Sequence, residues 1–500
     1  MKNKCILNFK TRNNNQYIFD GNSSTVIPVD DIILKCIDLY EKEPIENVKK
    51  ILEESFPDKL DLIESAINFV HTYSTKFNAF YRDDNYENIK RRWQKNFSTE
   101  NIQQILNSGN MYQLILNVTE DCNLRCKYCY LSEEYDFTRN RTSKMMSSEI
   151  AIKSLDYFFD KLKKIKEFNP GKTCTITFYG GEPLMNFEVV KQSIEYAKKH
   201  CPVSVVFNMT TNGVLLKDST LDYLVKNEVN ITVSFDGTRE NSNKRVFEKN
   251  LESYDTVYTN LKTAKQKYPN YTKLNLISVY DLSTNLIEND LFFENEDLPP
   301  VIFVNGVSDN NTYYYSKFTQ EDVENHQKQY IYLLNKYIDN KINNKKSSSY
   351  LSVLFEASLS PILYRARHKD TKLPMIPFTN TCIPGMKISV RADGKIDMCE
   401  RVNSTIPIGD IDTGLNLEAI KTLITKYNEN VTKKCHLCPL SNICSVCFAQ
   451  TCGDNCFKSP NCNAIINHFS FLFSVLYSIL EENPKAFDRF EPKIEWTIYS

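Results

Sequence analysis

The chain has 500 residues, 41% hydrophobic and 25% charged, enough to bury a large core in roughly three folding units. Its 61 basic and 62 acidic side chains leave a formal net charge of -1, so no broad positive field exists to neutralise phosphates and nucleic acid is not expected as a partner. The opening MKNKCILNFKTRNNNQ carries only a short, interrupted apolar run unlike a secretory signal, which predicts a cytoplasmic protein.

In chain order, residues 1–85 offer strands at KCILNF, QYIFDG and STVIPV, then helical patterns at DDIILKCIDLYEK, IENVKKILEES and KLDLIESAINFVHTY, a winged-helix-like unit. A polar, charged linker is expected over 86–111. From 112 to 310 the pattern becomes six short apolar strands (YQLILNVT, TCTITFYG, VSVVFNMTT, NITVSF, LNLISVY, PVIFVN) separated by helices. Strands joined by helical crossovers pair in parallel, so the expected fold class is α/β, a partial (β/α)6 TIM-like barrel. Cys122, Gly180, Asn212 and Asp236 follow successive strands, the end where barrels build active sites. A helical bridge over 311–375 leads to a cysteine-rich C-terminal domain, 376–465, and then to a helix and tail, 466–500. The apolar run 469–480 is too short to span a bilayer and reads as a buried helix, so no membrane association is expected.

Cysteine is the unusual residue: 16 are present, 14 of them after residue 121. With no export signal, disulfides are disfavoured and metal or iron-sulfur ligation leads. Cys5, Cys36, Cys174 and Cys201 are isolated in sequence and read as small buried hydrophobes. DCNLRCKYCY places Cys122, Cys126 and Cys129 at CxxxCxxC spacing on a loop after a strand. Three thiolates can hold a cubane whose fourth iron lacks a protein ligand nearby, leaving that iron to a small molecule. The alternative is a zinc site completed elsewhere in the chain.

These residues resemble the radical S-adenosylmethionine (SAM) superfamily over about 112–310. The resemblance implies a 4Fe-4S cluster on Cys122, Cys126 and Cys129, with SAM chelating the open iron and cleaved to a 5'-deoxyadenosyl radical. It places Tyr128 near the adenine, Gly180, Gly181, Glu182 and Pro183 (GGEP) at the cofactor's amino group, and Asn212, Ser234 and Asp236 near the ribose. Arg245 would anchor the carboxylate, although TRENSNKR lacks the His-Asp pair expected before it in related enzymes, and a surface arginine is the alternative.

Farther on, Cys382 and Cys399 flank KISVRADGKIDM, whose Asp393-Gly394 is a hairpin signal that draws the two thiols together. KCHLCPLSNICSVCF supplies Cys435, Cys438, Cys444 and Cys447, followed by Cys452, Cys456 and Cys462. Nine cysteines suffice for two more clusters; a zinc staple is the alternative. The segment resembles the SPASM domain, which implies Cys382, Cys399 and Cys447 at auxiliary cluster I and Cys435, Cys438, Cys444 and Cys462 at auxiliary cluster II, three 4Fe-4S clusters in all. No cysteine shortly precedes Cys382, so cluster I has an open iron unless Cys452 or Cys456 fills it. Glu400 is a candidate base beside Cys399, or a solvated carboxylate.

The SPASM resemblance implies a peptide or protein substrate, and the N-terminal unit resembles a leader-recognition element that takes the leader as an extra strand on a sheet edge. The expected activity is a peptide maturase installing an intramolecular cross-link, a thioether or a carbon-carbon bond, in a ribosomally made precursor. Its expected partners are that precursor and a reducing protein such as flavodoxin or ferredoxin. The alternatives are an anaerobic sulfatase-maturating enzyme forming formylglycine and, outside catalysis, an iron-sulfur electron carrier or redox sensor.

Overall fold

The computed structural model describes residues 2–83, 98–107, 111–137, 140–365, 381–401, 406–454 and 456–487. Most of the expected linker, the end of the helical bridge and the final tail therefore lie outside the described residues.

At the centre, strands β6 (Gln113–Thr119), β7 (Thr173–Gly180), β8 (Ser204–Thr211), β9 (Asn230–Ser234), β10 (Leu274–Tyr280) and β11 (Val301–Gly306) pair in parallel and in sequence order. Their crossovers include α5 (Ser148–Phe168), α6 (Phe187–His200), α7 (Asp218–Lys226), α8 (Tyr254–Lys267) and α9 (Leu286–Asn295). Ser147 caps α5 by accepting from Ile150 N at 3.2 Å. This is the six-stranded partial barrel that the alternation of strand and helix predicts.

The barrel sheet does not end at its first strand. The hairpin of β12 (Lys387–Val390) and β13 (Lys395–Asp397) joins it, with β12 parallel to β6 from Lys387 opposite Gln113 to Val390 opposite Leu116. Gly394 turns the hairpin at φ +89°. Buried Asn117 fastens the join by donating to Ser389 Oγ and Val390 O at 2.8 and 3.0 Å. The cysteine-rich segment is thus joined to the barrel sheet, and because β13 runs back antiparallel to β12 it returns Cys399 to Lys387, at the end of the sheet where β6 begins.

The N-terminal unit folds as β2 (Ile6–Lys10), β3 (Gln16–Asp20) and β4 (Thr25–Pro28) in an antiparallel sheet followed by α1 (Asp31–Leu39), α2 (Ile45–Ser55) and α3 (Leu60–Lys76). A short strand β1 (Lys2–Lys4) closes against β5 (Tyr81–Asp83). Side chains alternate across such a sheet, so Ile18 and Ile27 join the core with the helices while Phe9 and Phe19 face the other way. That second face is covered by the C-terminal helix α13 (Cys462–Glu482): the Phe473 ring lies 5.2 Å from Phe9 and 4.8 Å from Phe19. Among the described residues α13 alone is long and apolar enough to cross a membrane, and here Phe473, Leu476 and Ile479 are buried in protein. The bridge contributes α10 (Gln320–Ile342) and α11 (Ser349–Leu363), and α4 (Thr99–Ile105) packs against α12 (Leu417–Asn430).

Two cysteines that look isolated in sequence are neighbours in space. Cys174 at the start of β7 and Cys201 just after α6 bring their sulfurs to 3.7 Å, because the crossover returns the chain to the same end of the barrel.

Candidate functional site

The loop after β6 carries Cys122, Cys126 and Cys129 and is tied down on two sides. Gly181 N and Glu182 N donate to Thr119 O and Asp121 O, each at 2.9 Å, while Arg125 N and Lys127 N donate to Val246 O and Lys244 O at 2.6 and 2.9 Å. A Cβ on Gly180 would stand 2.1 Å from Thr119 O and one on Gly181 2.0 Å from Asp121 O, so only glycine permits this approach. Burial pushes the Cys122 and Cys126 thiols up to about 11 and raises Cys129 as well. Desolvated thiols stay protonated unless cationic metal compensates them, which suits a metallocluster's ligands.

Around that loop the strand ends gather polar groups. Asp236, fully buried after β9, accepts from Tyr128 Oη at 2.5 Å, and Arg245 Nη1 donates to the same phenol at 2.8 Å. Burial raises the Asp236 carboxyl, against the pull of Arg245 and Tyr128. Arg245 is 7% exposed and its Nε has no hydrogen-bond partner, so it is not a surface arginine. Asn212 donates to Asn123 Oδ1 at 2.7 Å and reaches the Cys122 sulfur at 3.6 Å, and half-buried Ser234 ends β9. Glu182 is 0% exposed and accepts from Leu184 N at 3.0 Å, Thr211 Oγ1 at 2.7 Å and Asn212 N at 2.6 Å; Pro183 follows as the first residue of a 3-10 turn. Burial raises the Glu182 carboxyl, so a ligand cation beside it would be favoured. The orphaned Arg245 Nε, the glycine cradle and the three thiols together fit a cofactor with a carboxylate and an ammonium bound beside a thiolate-held cluster.

The later cysteines fall into two sets. Cys382 and Cys399 each share an electrostatic neighbourhood with Cys447, while Cys435, Cys438, Cys444 and Cys462 share another. Burial raises the thiols of Cys382, Cys399, Cys435, Cys438 and Cys444, the last to about 11. Among the described residues no three His, Cys, Asp or Glu side chains group as they would around a single metal ion. Cys452 is buried with its sulfur 3.6 Å from Ala449 O, and Cys456 is exposed.

Glu400 is no solvated carboxylate: its Oε2 lies 3.3 Å from Lys387 Nζ and 3.2 Å from the Cys399 sulfur, with the side chain 18% exposed. Burial alone would raise this carboxyl, but the Lys387 ammonium and local hydrogen bonds hold it below the usual range. A carboxylate so stabilised is a weaker base than an unpaired one.

Sequence reasoning missed Lys387, which also approaches Cys399 at 3.4 Å; its first position on β12, in register with the barrel, was the available signal. It also missed the aromatic path between the two cysteine groups. Tyr130 donates to Tyr179 Oη at 3.3 Å, and the Arg401 guanidinium lies 5.8 Å from the Tyr130 ring. A buried ion pair, Lys244 with Asp281 at 2.7 Å, braces the segment that holds the cysteine loop, and Tyr314 donates to the same carboxylate at 2.7 Å.

The Radical SAM superfamily matches residues 116–290. Over 331 residues the chain is 23% identical to a radical SAM cyclopropyl synthase, TigE, of Paramaledivibacter caminithermalis, a match spanning 64% of this chain and 66% of that protein. It is 24% identical over 362 residues to a cysteine-type anaerobic sulfatase-maturating enzyme of Clostridium novyi, covering 70% of this chain and 84% of the other. Among solved structures, anSMEcpe with bound AdoMet aligns with a TM-score of 0.55 at 19% identity, over 76% of this chain and 96% of that one, a likeness of fold. The same protein with bound AdoMet and Cp18Cys peptide aligns at 0.53 and 18% identity, over 75% and 98%.

Proposed function

Starting from a chain that is a radical SAM enzyme with relatives among the anaerobic sulfatase maturases, we propose that it modifies a ribosomally made peptide by installing an intramolecular cross-link. The observation that carries this reading is the presence, beside one cysteine loop at the barrel mouth, of two further thiol sets in the segment whose hairpin joins the same sheet. In this reading Cys122, Cys126 and Cys129 hold the initiating cluster, Cys382, Cys399 and Cys447 hold auxiliary cluster I, and Cys435, Cys438, Cys444 and Cys462 hold auxiliary cluster II.

Cys122, Cys126 and Cys129 would hold a cluster beside bound SAM that would supply the radical hydrogen abstraction, and the later cysteines would hold clusters able to accept an electron. The chain's own residues supply position. Arg245 would offer its unpartnered Nε to the cofactor carboxylate and Glu182 would offer negative charge to its ammonium, while Tyr128 bonds to both Asp236 and Arg245 and holds them together. Lys387 pairs with Glu400 beside Cys399 and fixes that carboxylate next to the thiol, which suits Glu400 to positioning more than to proton acceptance.

The substrate class is supported from two sides. A relative named for cyclopropyl synthesis supports bond formation between carbons, and relatives named sulfatase-maturating enzymes support a peptide or protein side chain as target. The aligned solved structures are covered almost completely, yet about a quarter of this chain has no counterpart in them, which favours an added recognition unit. On the N-terminal sheet the β2 edge already accepts a bond from the C-terminal helix, Ser470 Oγ to Asn8 O at 3.1 Å. No strand among the described residues pairs with the outer edge of β4, so a leader would add there, bonding chiefly at Val26 because Pro28 has no N–H.

The second reading, a sulfatase maturase, is favoured by the 84% coverage of the Clostridium novyi enzyme. In anaerobically reconstituted protein, Cys126→Ala should abolish conversion of SAM to 5'-deoxyadenosine, whereas Cys438→Ala should retain it and lose the peptide product. Equal loss of both activities in both variants would contradict this division of labour.

A further inference from the structure

A hairpin turn ordinarily sits in water, because its backbone groups need partners. The turn between β3 and β4 does not: Asp20, Gly21, Asn22, Ser23 and Ser24 are all buried. What buries it is the loop bearing Cys435, Cys438 and Cys444. A Cβ on Gly21 would lie 2.5 Å from Pro439 Cα, and Asn442 donates across the junction to Gly21 O at 2.7 Å and to Ser24 Oγ at 3.2 Å.

Arg82 spans this junction. On the N-terminal side it donates to Gly21 O and Asn22 Oδ1; on the other its Nη1 donates to Cys438 O at 3.1 Å, Ser441 Oγ at 2.8 Å and His436 O at 3.4 Å. A guanidinium stays charged throughout the working pH range, so the N-terminal unit delivers a fixed, partly buried positive charge to the backbone of the cysteine loop. Asp20, in the same turn, accepts from Ser23 and from Phe80 N.

We infer that Arg82 is a positioning residue through which the N-terminal unit raises the reduction potential of the cluster held by Cys435, Cys438, Cys444 and Cys462. The inference rests on the reading that these four cysteines hold a cluster. Reduction adds negative charge to a cluster, and a nearby cation stabilises the reduced form. A unit charge about 10 Å away in a medium of effective dielectric about 20 changes such an equilibrium roughly tenfold. Electron acceptance by this cluster is thereby linked to docking of the peptide-recognition unit.

The test is an EPR-monitored redox titration of the full-length, anaerobically reconstituted protein, with iron counted in each sample. A Cys435→Ala/Cys438→Ala double variant should lose one cluster's iron and one redox transition, which identifies the relevant signal. Arg82→Gln should retain iron and move that transition to lower potential by about 59 mV, the tenfold change for one electron. Arg82→Lys should restore most of the shift, and Gly21→Ala, which wedges the turn away from Pro439, should lower the potential in the Arg82→Gln direction. An unmoved transition in Arg82→Gln, or equal iron loss in the Gln and Lys variants, would overturn the inference. Full iron retention in the double cysteine variant would overturn the cluster assignment itself, a separate result from any behaviour of Arg82.

Discussion

Replacing Arg245 with Met removes a cation that donates to Tyr128 and lies in the electrostatic neighbourhood of Cys126. Two losses follow. A charged hydrogen bond to a ligand carboxylate contributes about 1.5–3 kcal/mol, which corresponds to roughly a 10- to 100-fold weaker Kd for SAM. Asp236, 0% exposed, also loses the guanidinium that opposes its burial, so it protonates or destabilises the site by up to about 3–5 kcal/mol. Equilibrium binding of SAM to the reconstituted protein and the rate of 5'-deoxyadenosine formation separate the two effects. Arg245→Lys keeps the charge but cannot serve Tyr128 and a carboxylate with one rigid fork, so it should fall between wild type and Met. A wild-type Kd in Arg245→Met with iron content unchanged would refute the carboxylate assignment.

Other outcomes follow from the packing. Gly181→Ala drives a Cβ onto Asp121 O and should cut iron retention at the first cluster while leaving the thiol sets after residue 381 loaded, as read by iron content and EPR. Phe473→Ala removes a fully buried ring from between Phe9 and Phe19 and should cost about 3–5 kcal/mol, seen as a lower Tm. Asp281 has its carboxyl lowered from 3.8 to about 2: burial opposes ionisation, but Lys244 and the hydroxyls around it outweigh that. Its folded pKa lies below the unfolded one, so its contribution, about 2 kcal/mol, is present above pH 4 and lost as pH falls through 2. Denaturant unfolding across that range should show the slope, and Asp281→Asn should remove it.

The barrel was legible because its strands are short apolar runs set between helices with their own caps, and parallel pairing in sequence order follows from the crossovers. Each strand then delivers its marked residue to one end, which is why Cys122, Gly180, Asn212 and Asp236 group together in the sequence pattern alone. The hairpin at Asp393-Gly394 was equally plain, but a sequence does not say which sheet a hairpin joins; its parallel pairing with β6 depends on tertiary packing across more than 270 residues. Lys387 and Glu400 became interpretable only after that join. Arg82 gave no signal either, being one basic residue at the edge of a charged segment, and its importance comes from a turn that is buried when turns usually are not. The same contacts alter how the N-terminal unit should be tested. Deleting residues 1–85 would strip Arg82 and uncover Phe473, so substitutions at the β4 edge, such as Val26→Pro, probe leader binding more cleanly.

The central claim is that this radical chemistry joins two parts of one peptide. The measurement closest to it is the intact mass of each small peptide encoded beside the gene after anaerobic co-expression with the protein. A loss of two hydrogens per event, abolished by Cys126→Ala, is the predicted result. Unmodified neighbouring peptides, together with conversion of a single cysteine to an aldehyde in a sulfatase-derived peptide, would contradict it and make the chain a sulfatase maturase.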